Sequence, residues 1–337
     1  MTDPTQLTPG QQLVDVLDEA VFGKHDMVRM VVASFLAGGH VLLEGLPGLG
    51  KTVLARTMAV ATGLDHKRIQ FTPDLMPADI TGTHLLHEAD GARQFRFVPG
   101  PVFTNFLLAD EINRASPKTQ AALLEAMSEG SVTHAGETRP IPSPFFLLAT
   151  QNPIEMEGTN ALPEAQLDRF AVKIDVPPTG EETLLRIIDA RTDGNPPPPA
   201  AIVDKAGVVA HRRAIDRVFV PRPVKLAIAR VVARTAPVVD GQDEGLRGCI
   251  RFGASPRAAI WLARIARALA YIDGRQGVGF EDVEEAVPHV LSHRLILTYA
   301  ARLDGVQASD IARHLYRETE REVLGIAQEL APRRSVV

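Results

Sequence analysis

The sequence contains a single cysteine, Cys249, among 337 residues. One thiol cannot close an internal disulfide or build a cysteine-rich metal site, so a disulfide scaffold is excluded and a reducing compartment fits; Cys249 reads as a small buried apolar residue. An excess of basic charge is also missing. Thirty-six Lys and Arg against 41 Asp and Glu leave a formal net charge of −5, which provides no general field for nucleic acid or acidic lipid and makes nucleic acid an unlikely class of partner. No run approaches the ~20 apolar residues that span a bilayer, and the opening "MTDPTQLTPGQQ" has no charged segment followed by an apolar core, so the expectation is a cytoplasmic chain without a membrane span. Several catalytic signatures are absent as well: a serine in a nucleophile elbow, a dinucleotide-binding glycine triplet and a zinc-protease His pair. His289 and His293 stand four apart, as a helical metal pair would, but no cysteine accompanies them. The basic cluster "HRRAIDR" (211–217) has no interleaved aromatics and reads as a solvated face.

What remains is an ordinary folded chain, 45% hydrophobic and 23% charged, long enough for two domains. Apolar residues at helical spacing place two helices within 11–36, broken at "FGKHD". "HVLLE" (40–44), "RIQFT" (68–72), "FLLAD" (106–110), "FFLLAT" (145–150) and "FAVKIDV" (170–176) read as five strands, with helical stretches such as 118–128 between some of them. That alternation predicts a mostly parallel sheet covered on both faces. Residues 83–100, turning at Asp90-Gly91, and 131–142, turning near Ala135-Gly136, read as hairpins inserted into this frame. "DVPPTGEE" (175–182) resembles a linker, and beyond it the pattern is helical, with Trp261, Ile265, Leu269 and Ile272 on one core-facing stripe. The expected division is a nucleotide-binding α/β domain over 1–176, a linker at 177–183 and a small all-α domain over 184–330.

The sharpest local signal is "GLPGLGKT". Gly45 to Thr52 match G-x-x-x-x-G-K-[ST] between a buried strand and a helix, the context in which that pattern cradles phosphate. The cradle comprises Gly45, Leu46, Pro47, Gly48, Leu49, Gly50, Lys51, Thr52 and Val53. Its glycines let backbone N–H groups converge on phosphate oxygens, Lys51 reaches the terminal phosphates, and Thr52 offers a hydroxyl to Mg²⁺ at a helix start. "FLLADE" ends the third strand with Asp110, suited to the metal, and Glu111, suited to activating water. A base beside the phosphates points to hydrolysis of a Mg²⁺-nucleotide rather than transfer to a second substrate.

The segments "GGHVLLEGLPGLGKT", "PGPVFTNFLLADEINRASPKTQAALLEAM", "PFFLLATQNPIEMEGTNALPEAQLDRF" and "GASPRA", in this order, resemble the MoxR-type AAA+ ATPases. The likeness runs from about Val21 to His293. It implies an AAA+ form of the P-loop NTPase fold, with a parallel five-stranded sheet, inserted β-hairpins and an all-α lid. It further implies ATP and Mg²⁺ as cofactors. Asn152 in "ATQNP" is implied to position the attacking water, as a non-titrating amide at a strand end could; a plain Asn-Pro turn is the alternative. Arg169 is implied to be a finger reaching the neighbouring subunit's site, against an ion pair with Asp168 or Glu164 within its own chain. Arg257 in "GASPRA" is implied to be a second sensor from the lid, against simple solvation. Val21, Phe22 and Gly23 are implied to lie against adenine, with Phe22 as ordinary packing the rival.

The chain departs from the family pattern at Pro177-Pro178, where Tyr-Pro is usual, and at Met156, where glutamine is more usual; Glu157 has no assigned role. The resemblance implies a hexameric homo-oligomer, often with a partner bearing a von Willebrand factor A domain, that remodels, matures or assembles a protein client. A nucleic-acid-stimulated motor and a low-turnover ATP-dependent switch are the alternatives.

Overall fold

A computed structural model describes residues 8–46, 48–89, 92–153, 159–192, 199–238 and 245–330. The chain divides into two compact units, Met1–Arg212 and Arg213–Val337. The first opens with α1 (Pro9–Ala20) and α2 (His25–Leu36), followed by β1 (Val41–Glu44), α3 (Lys51–Ala61), β2 (His66–Gln70) and α4 (Pro77–Thr81). A hairpin of β3 (Gly82–Ala89) and β4 (Ala92–Pro99) precedes β5 (Phe106–Asp110) and α5 (Pro117–Glu129). A second hairpin, β6 (Ser131–His134) and β7 (Glu137–Pro140), leads to β8 (Phe146–Gln151), α6 (Glu164–Leu167), β9 (Val172–Asp175) and α7 (Glu181–Thr192), and α8 (Lys205–Asp216) crosses the division.

The five expected strands form one parallel sheet in the order β2-β5-β8-β1-β9. Burial explains the unbroken apolar runs. Along β8, Leu147 and Ala149 point into a cluster with Leu123 and Leu124 of α5, while Phe146 on the opposite face meets Phe35 of α2 edge-on at 5.2 Å. Each such leucine contributes about 1.5–3 kcal/mol by leaving water. The outermost β2 is different: only Ile69 is buried, and its other side chains are charged or polar, as an edge strand tolerates. It also ends at Gln70, two residues short of the expected end at Thr72: the Phe71 N–H still bonds to the Asp110 carbonyl, but β5 itself stops at Asp110 and offers no further partner.

Both inserted hairpins form as separate two-stranded ladders. The second turns at Ala135 and Gly136, both at positive φ, while the turn expected at Asp90-Gly91 lies outside the described residues. The hairpins pack on each other: His84 and His134 approach to 3.0 Å between Nδ1 atoms, and Arg139 covers the Phe97 ring at 4.1 Å. Away from that contact, Leu85, Leu86, Phe95 and Val98 are exposed, Phe95 to 75%.

The sheet-bearing unit continues beyond the linker expected at 177–183. Lys24 Nζ donates to the carbonyls of Pro177 and Pro178, the latter at 3.2 Å, and the N–H of Ile202 bonds to the Ala61 carbonyl, so this stretch is tied to the unit rather than free of it.

The second unit holds α9 (Arg222–Arg234), β10 (Ile250–Phe252), α10 (Pro256–Ile272), α11 (Phe280–Leu291), β11 (Ile296–Leu297), α12 (Tyr299–Leu303) and α13 (Ala308–Leu330). Among its described residues it is helical apart from loops, the short antiparallel ladder of β10 and β11 and an isolated bridge between Phe219 and Gly277. Ile265, Leu269 and Ile272 are buried along α10, and Trp261 is half-buried beside them. Cys249 is half-buried rather than fully enclosed, since it precedes a short strand instead of lying in a helix core. No described helix is long and apolar enough to cross a membrane, and among the described residues no group of three or more His, Cys, Asp or Glu could hold a metal.

Candidate active site

Parallel strands end at the same edge, and sheet order brings the ends of β5, β8 and β1 side by side. The loop after β1, the acids ending β5 and Asn152 after β8 therefore meet in one cleft of about 320 Å³. Among its lining residues are Gly48, Gly50, Lys51, Thr52, Val53, Asp110, Glu111 and Asn152.

The loop's shape follows from its glycines. A Cβ on Gly45 would lie 2.9 Å from Val176 Cβ, too close for any larger residue at that point of the backbone. Gly50 adopts φ 85° as the N-cap of α3, a left-handed conformation open to glycine, and so turns the chain into the helix. Val21 comes within 3.3 Å of the position of a Gly50 Cβ, which places the buried end of the Val21–Gly23 segment against the cradle. Phe22 lies beside Arg186, whose guanidinium is 5.0 Å from the ring centre. Leu46 is exposed, Leu49 lies in the turn before α3, and Pro47 is outside the described residues.

Lys51 is buried and its Nζ donates to the Gly45 carbonyl at 2.6 Å. Burial lowers its pKa, while Asp110, Glu111 and Glu44 pull it upward. Thr52 follows in the first turn, its Oγ1 3.4 Å from Asp110 Oδ2.

The two acids are held by a residue that sequence reading passed over. Thr150 Oγ1 donates to Asp110 Oδ1 at 2.6 Å and accepts the N–H of Glu111 at 2.9 Å, fixing one carboxylate and the next backbone unit together. Glu111 is held at φ 57° and ψ 50°, an uncommon conformation for a residue with a side chain. Strain of this kind persists where surrounding bonds over-determine it and concentrates at reactive sites. Glu111 Oε2 also pairs with Arg114 Nη1 at 3.0 Å. Asn152 is buried, and its carbonyl accepts from Asn113 Nδ2 at 3.0 Å.

Arg68 and Gln70, neither of which was assigned from sequence, also line the cleft. Arg68 Nη2 is 2.8 Å from Asp110 Oδ2 and bonds to Gln70 Oε1 at 2.9 Å. The available signal was a polar edge strand beside the strand ending in Asp110, which single-strand periodicity does not disclose. Thr150 had a clearer one: a hydroxyl closing an otherwise apolar run.

Arg169 is not among the lining residues of this cleft. Its Nη1 donates to the Leu124 carbonyl at 2.9 Å and to Ser128 Oγ at 3.1 Å, near the end of α5. The expected alternative named acidic partners, and these two contacts are instead with a backbone carbonyl and a hydroxyl. Arg257 is exposed in the first turn of α10, after the Ser255 cap, in the second unit. Met156 and Glu157 fall outside the described residues.

The donors here suit the Mg²⁺ that the family resemblance implies. Asp110 Oδ2 and Thr52 Oγ1 are both hard oxygens turned toward the phosphate loop, and Mg²⁺ is typically bound by one or two carboxylates together with phosphate oxygens. The residues present fit such an ion.

Residues 40–172 match the ATPase family associated with various cellular activities (AAA), and residues 245–315 match an AAA lid domain. The chain is 40% identical over 305 residues to the uncharacterized protein YeaC of Bacillus subtilis, covering 90% of this chain and 91% of that one. It is 43% identical over 301 residues to the chaperone MoxR1 of Mycobacterium tuberculosis, covering 87% and 79%. A crystal structure of a candidate ATPase from Cytophaga hutchinsonii superposes with a TM-score of 0.84 at 39% identity, covering 92% of this chain and 93% of that one. With the phosphate loop, paired acids and lid in the family's order, the chain belongs to the MoxR family of AAA+ ATPases.

Proposed function

We propose that the chain hydrolyses Mg²⁺-bound ATP as one subunit of a ring and uses the cycle to remodel, mature or assemble a protein client. The observation that carries the catalytic part is the convergence of Lys51, Thr52, Asp110, Glu111 and Asn152 on one cleft. Gly45 through Val53 form the phosphate cradle, in which Lys51 reaches the terminal phosphates, and Val21, Phe22 and Gly23 face adenine. Asp110 and Thr52 hold Mg²⁺, which when bound offsets phosphate charge. Glu111 takes the proton of the attacking water and Asn152 orients that water. Glu111 is suited to this because its backbone is fixed by Thr150, leaving the carboxylate at the cleft wall.

Arg169 lies away from the cleft of its own chain, which supports its supply to a neighbouring copy. Arg257 acts as the lid's arginine within the lid domain, for which the match at 245–315 is support. The exposed Leu85, Leu86, Phe95 and Val98 make the first hairpin the candidate carrier of motion to a client. The named chaperone MoxR1 among the relatives favours a client of protein. A cytoplasmic hexamer working with a von Willebrand factor A domain protein completes this reading by family likeness.

The test is Mg²⁺-dependent ATP hydrolysis per chain over protein concentrations on both sides of assembly. Specific activity that rises with concentration to a plateau agrees with a shared site. Flat specific activity where monomers are shown to exist replaces it with a self-contained ATPase.

A further inference from the structure

We propose that Arg68 is a built-in counter-cation of Asp110 that competes with the nucleotide-associated metal, so that the edge strand β2 sets the metal requirement of this site. The inference rests on the reading above that Asp110 and Thr52 hold the metal.

Asp110 is nearly enclosed, its side chain only 10% exposed, and a carboxylate so placed needs compensation. Its two oxygens have separate tasks. Oδ1 is taken by the Thr150 hydroxyl at 2.6 Å. Oδ2 faces the phosphate loop, with Thr52 Oγ1 at 3.4 Å, and it is this oxygen that receives Arg68, from Nη2 at 2.8 Å and Nε at 3.3 Å. The guanidinium and a metal ion therefore address one atom. Two cations on one oxygen repel, so occupancy by either weakens the other.

The aim of Arg68 is built into the sheet. In the parallel register of β2 on β5, Arg68 lies opposite Leu108 and Gln70 opposite Asp110. Gln70 Oε1 accepts from Arg68 Nη2 at 2.9 Å and directs the guanidinium toward the end of β5. The contact is nevertheless exchangeable: the Arg68 side chain is 54% exposed, so it re-enters water at little cost, whereas Asp110 cannot. Arg68 thus steadies the carboxylate until metal and nucleotide arrive together, and it raises the metal concentration at which they do so.

The test is binding of Mn²⁺, as a paramagnetic probe for Mg²⁺, to the full chain with ADP present, read from the EPR signal of free Mn²⁺, alongside ADP affinity measured without metal. Arg68→Ala is expected to lower the Mn²⁺ midpoint by up to about fivefold, the upper end for a half-exposed ion pair. Metal-free ADP affinity should not fall in step with the change in Mn²⁺ midpoint, and Arg68→Lys should remain near the unmodified chain. Gln70→Ala, which only loosens the aim, should shift the midpoint in the same direction by less. An unchanged or raised Mn²⁺ midpoint in both Arg68→Ala and Gln70→Ala overturns the competition. A fall in ADP affinity of equal size with and without metal also overturns it, and makes Arg68 a phosphate contact. If the unmodified chain binds no Mn²⁺ with ADP, or if Asp110→Asn binds it equally well, the assignment of the metal to Asp110 fails and the competition fails with it.

Discussion

Each of the two units holds an arginine paired with a nearly buried aspartate, Arg68 with Asp110 and Arg275 with Asp282, and the two pairs are built for different purposes. In the second unit Asp282 is 1% exposed and engages Arg275 with both oxygens, Oδ2 to Nη1 at 2.8 Å and Oδ1 to Nη2, while Oδ2 also accepts the Gly279 N–H at 2.7 Å. That fork-to-fork pair caps the start of α11 and leaves no oxygen facing a cleft. At the sheet edge, Arg68 aims two nitrogens, Nε and Nη2, at a single oxygen of Asp110, a residue that lines the proposed nucleotide cleft. Similar chemistry gives a closed structural lock in one place and an exchangeable contact in the other. The difference lies in how many carboxylate oxygens are committed and how easily the arginine returns to water.

Substitutions can break this contrast. The larger effect in this contrast is expected beside the exchangeable pair: Glu111→Gln should lower ATP turnover by about 10²–10⁴ while nucleotide binding is retained, measured by steady-state hydrolysis and ADP titration. Equal loss of binding and turnover would move Glu111 from catalysis to cradle support. Asp282→Asn should do the reverse, costing about 2 kcal/mol in denaturant unfolding; this is below the usual range for breaking a buried pair because the Arg275 side chain is 34% exposed. The phosphate cleft should still bind ADP.

A third change falls between the two. Thr150→Val removes the donor to Asp110 Oδ1 and strands the Glu111 N–H, so a stability cost of about 1–3 kcal/mol should accompany a lower turnover. A stability loss with normal turnover would assign Thr150 to folding alone.

His40 offers a pH test at the opposite end of β1. Burial, with help from Arg212, lowers its pKa from 6.5 to about 4, and its Nδ1 accepts the Leu147 N–H at 3.1 Å, a role open only to the unprotonated atom. The unfolded chain binds the proton first, so stability is intact above pH 6.5 and is lost as the pH falls toward 4. The loss attributable to this ring is about 2–3 kcal/mol, at the lower end because it keeps partial exposure. It should be smaller in His40→Gln. The smallest expected effect is Phe95→Ala on the exposed hairpin face, within about 0.5 kcal/mol in stability, so any loss of client processing there would not be a folding effect.

The sequence disclosed the elements whose signals are local. Continuous apolar runs marked β1, β5 and β8 because both faces are covered, the more polar β2 and β9 showed only broken patterns, and the glycine pattern marked the cradle because its backbone demands are written in adjacent residues. Arg68, Gln70 and Thr150 were not legible as parts of the site. Their roles come from which strands become neighbours, a fact carried by sheet order and register rather than by spacing along the chain. The contacts of Arg169 with Leu124 and Ser128 were hidden for the same reason. The end of β2 was misplaced because Phe71 is apolar and buried and so continues a strand pattern past Gln70, the last residue with a paired partner on β5.

The most direct test of a site completed between copies is to mix two inactive chains. Glu111→Gln keeps Arg169 and lacks the base; Arg169→Ala keeps the base and lacks the finger. Each alone should be nearly inactive, with the finger worth about 10³–10⁵ in rate. The account predicts that mixing them restores hydrolysis, at interfaces where an intact Glu111 meets an intact Arg169. A mixture no more active than the sum of its parts, under conditions where mixed assembly is demonstrated, would contradict it.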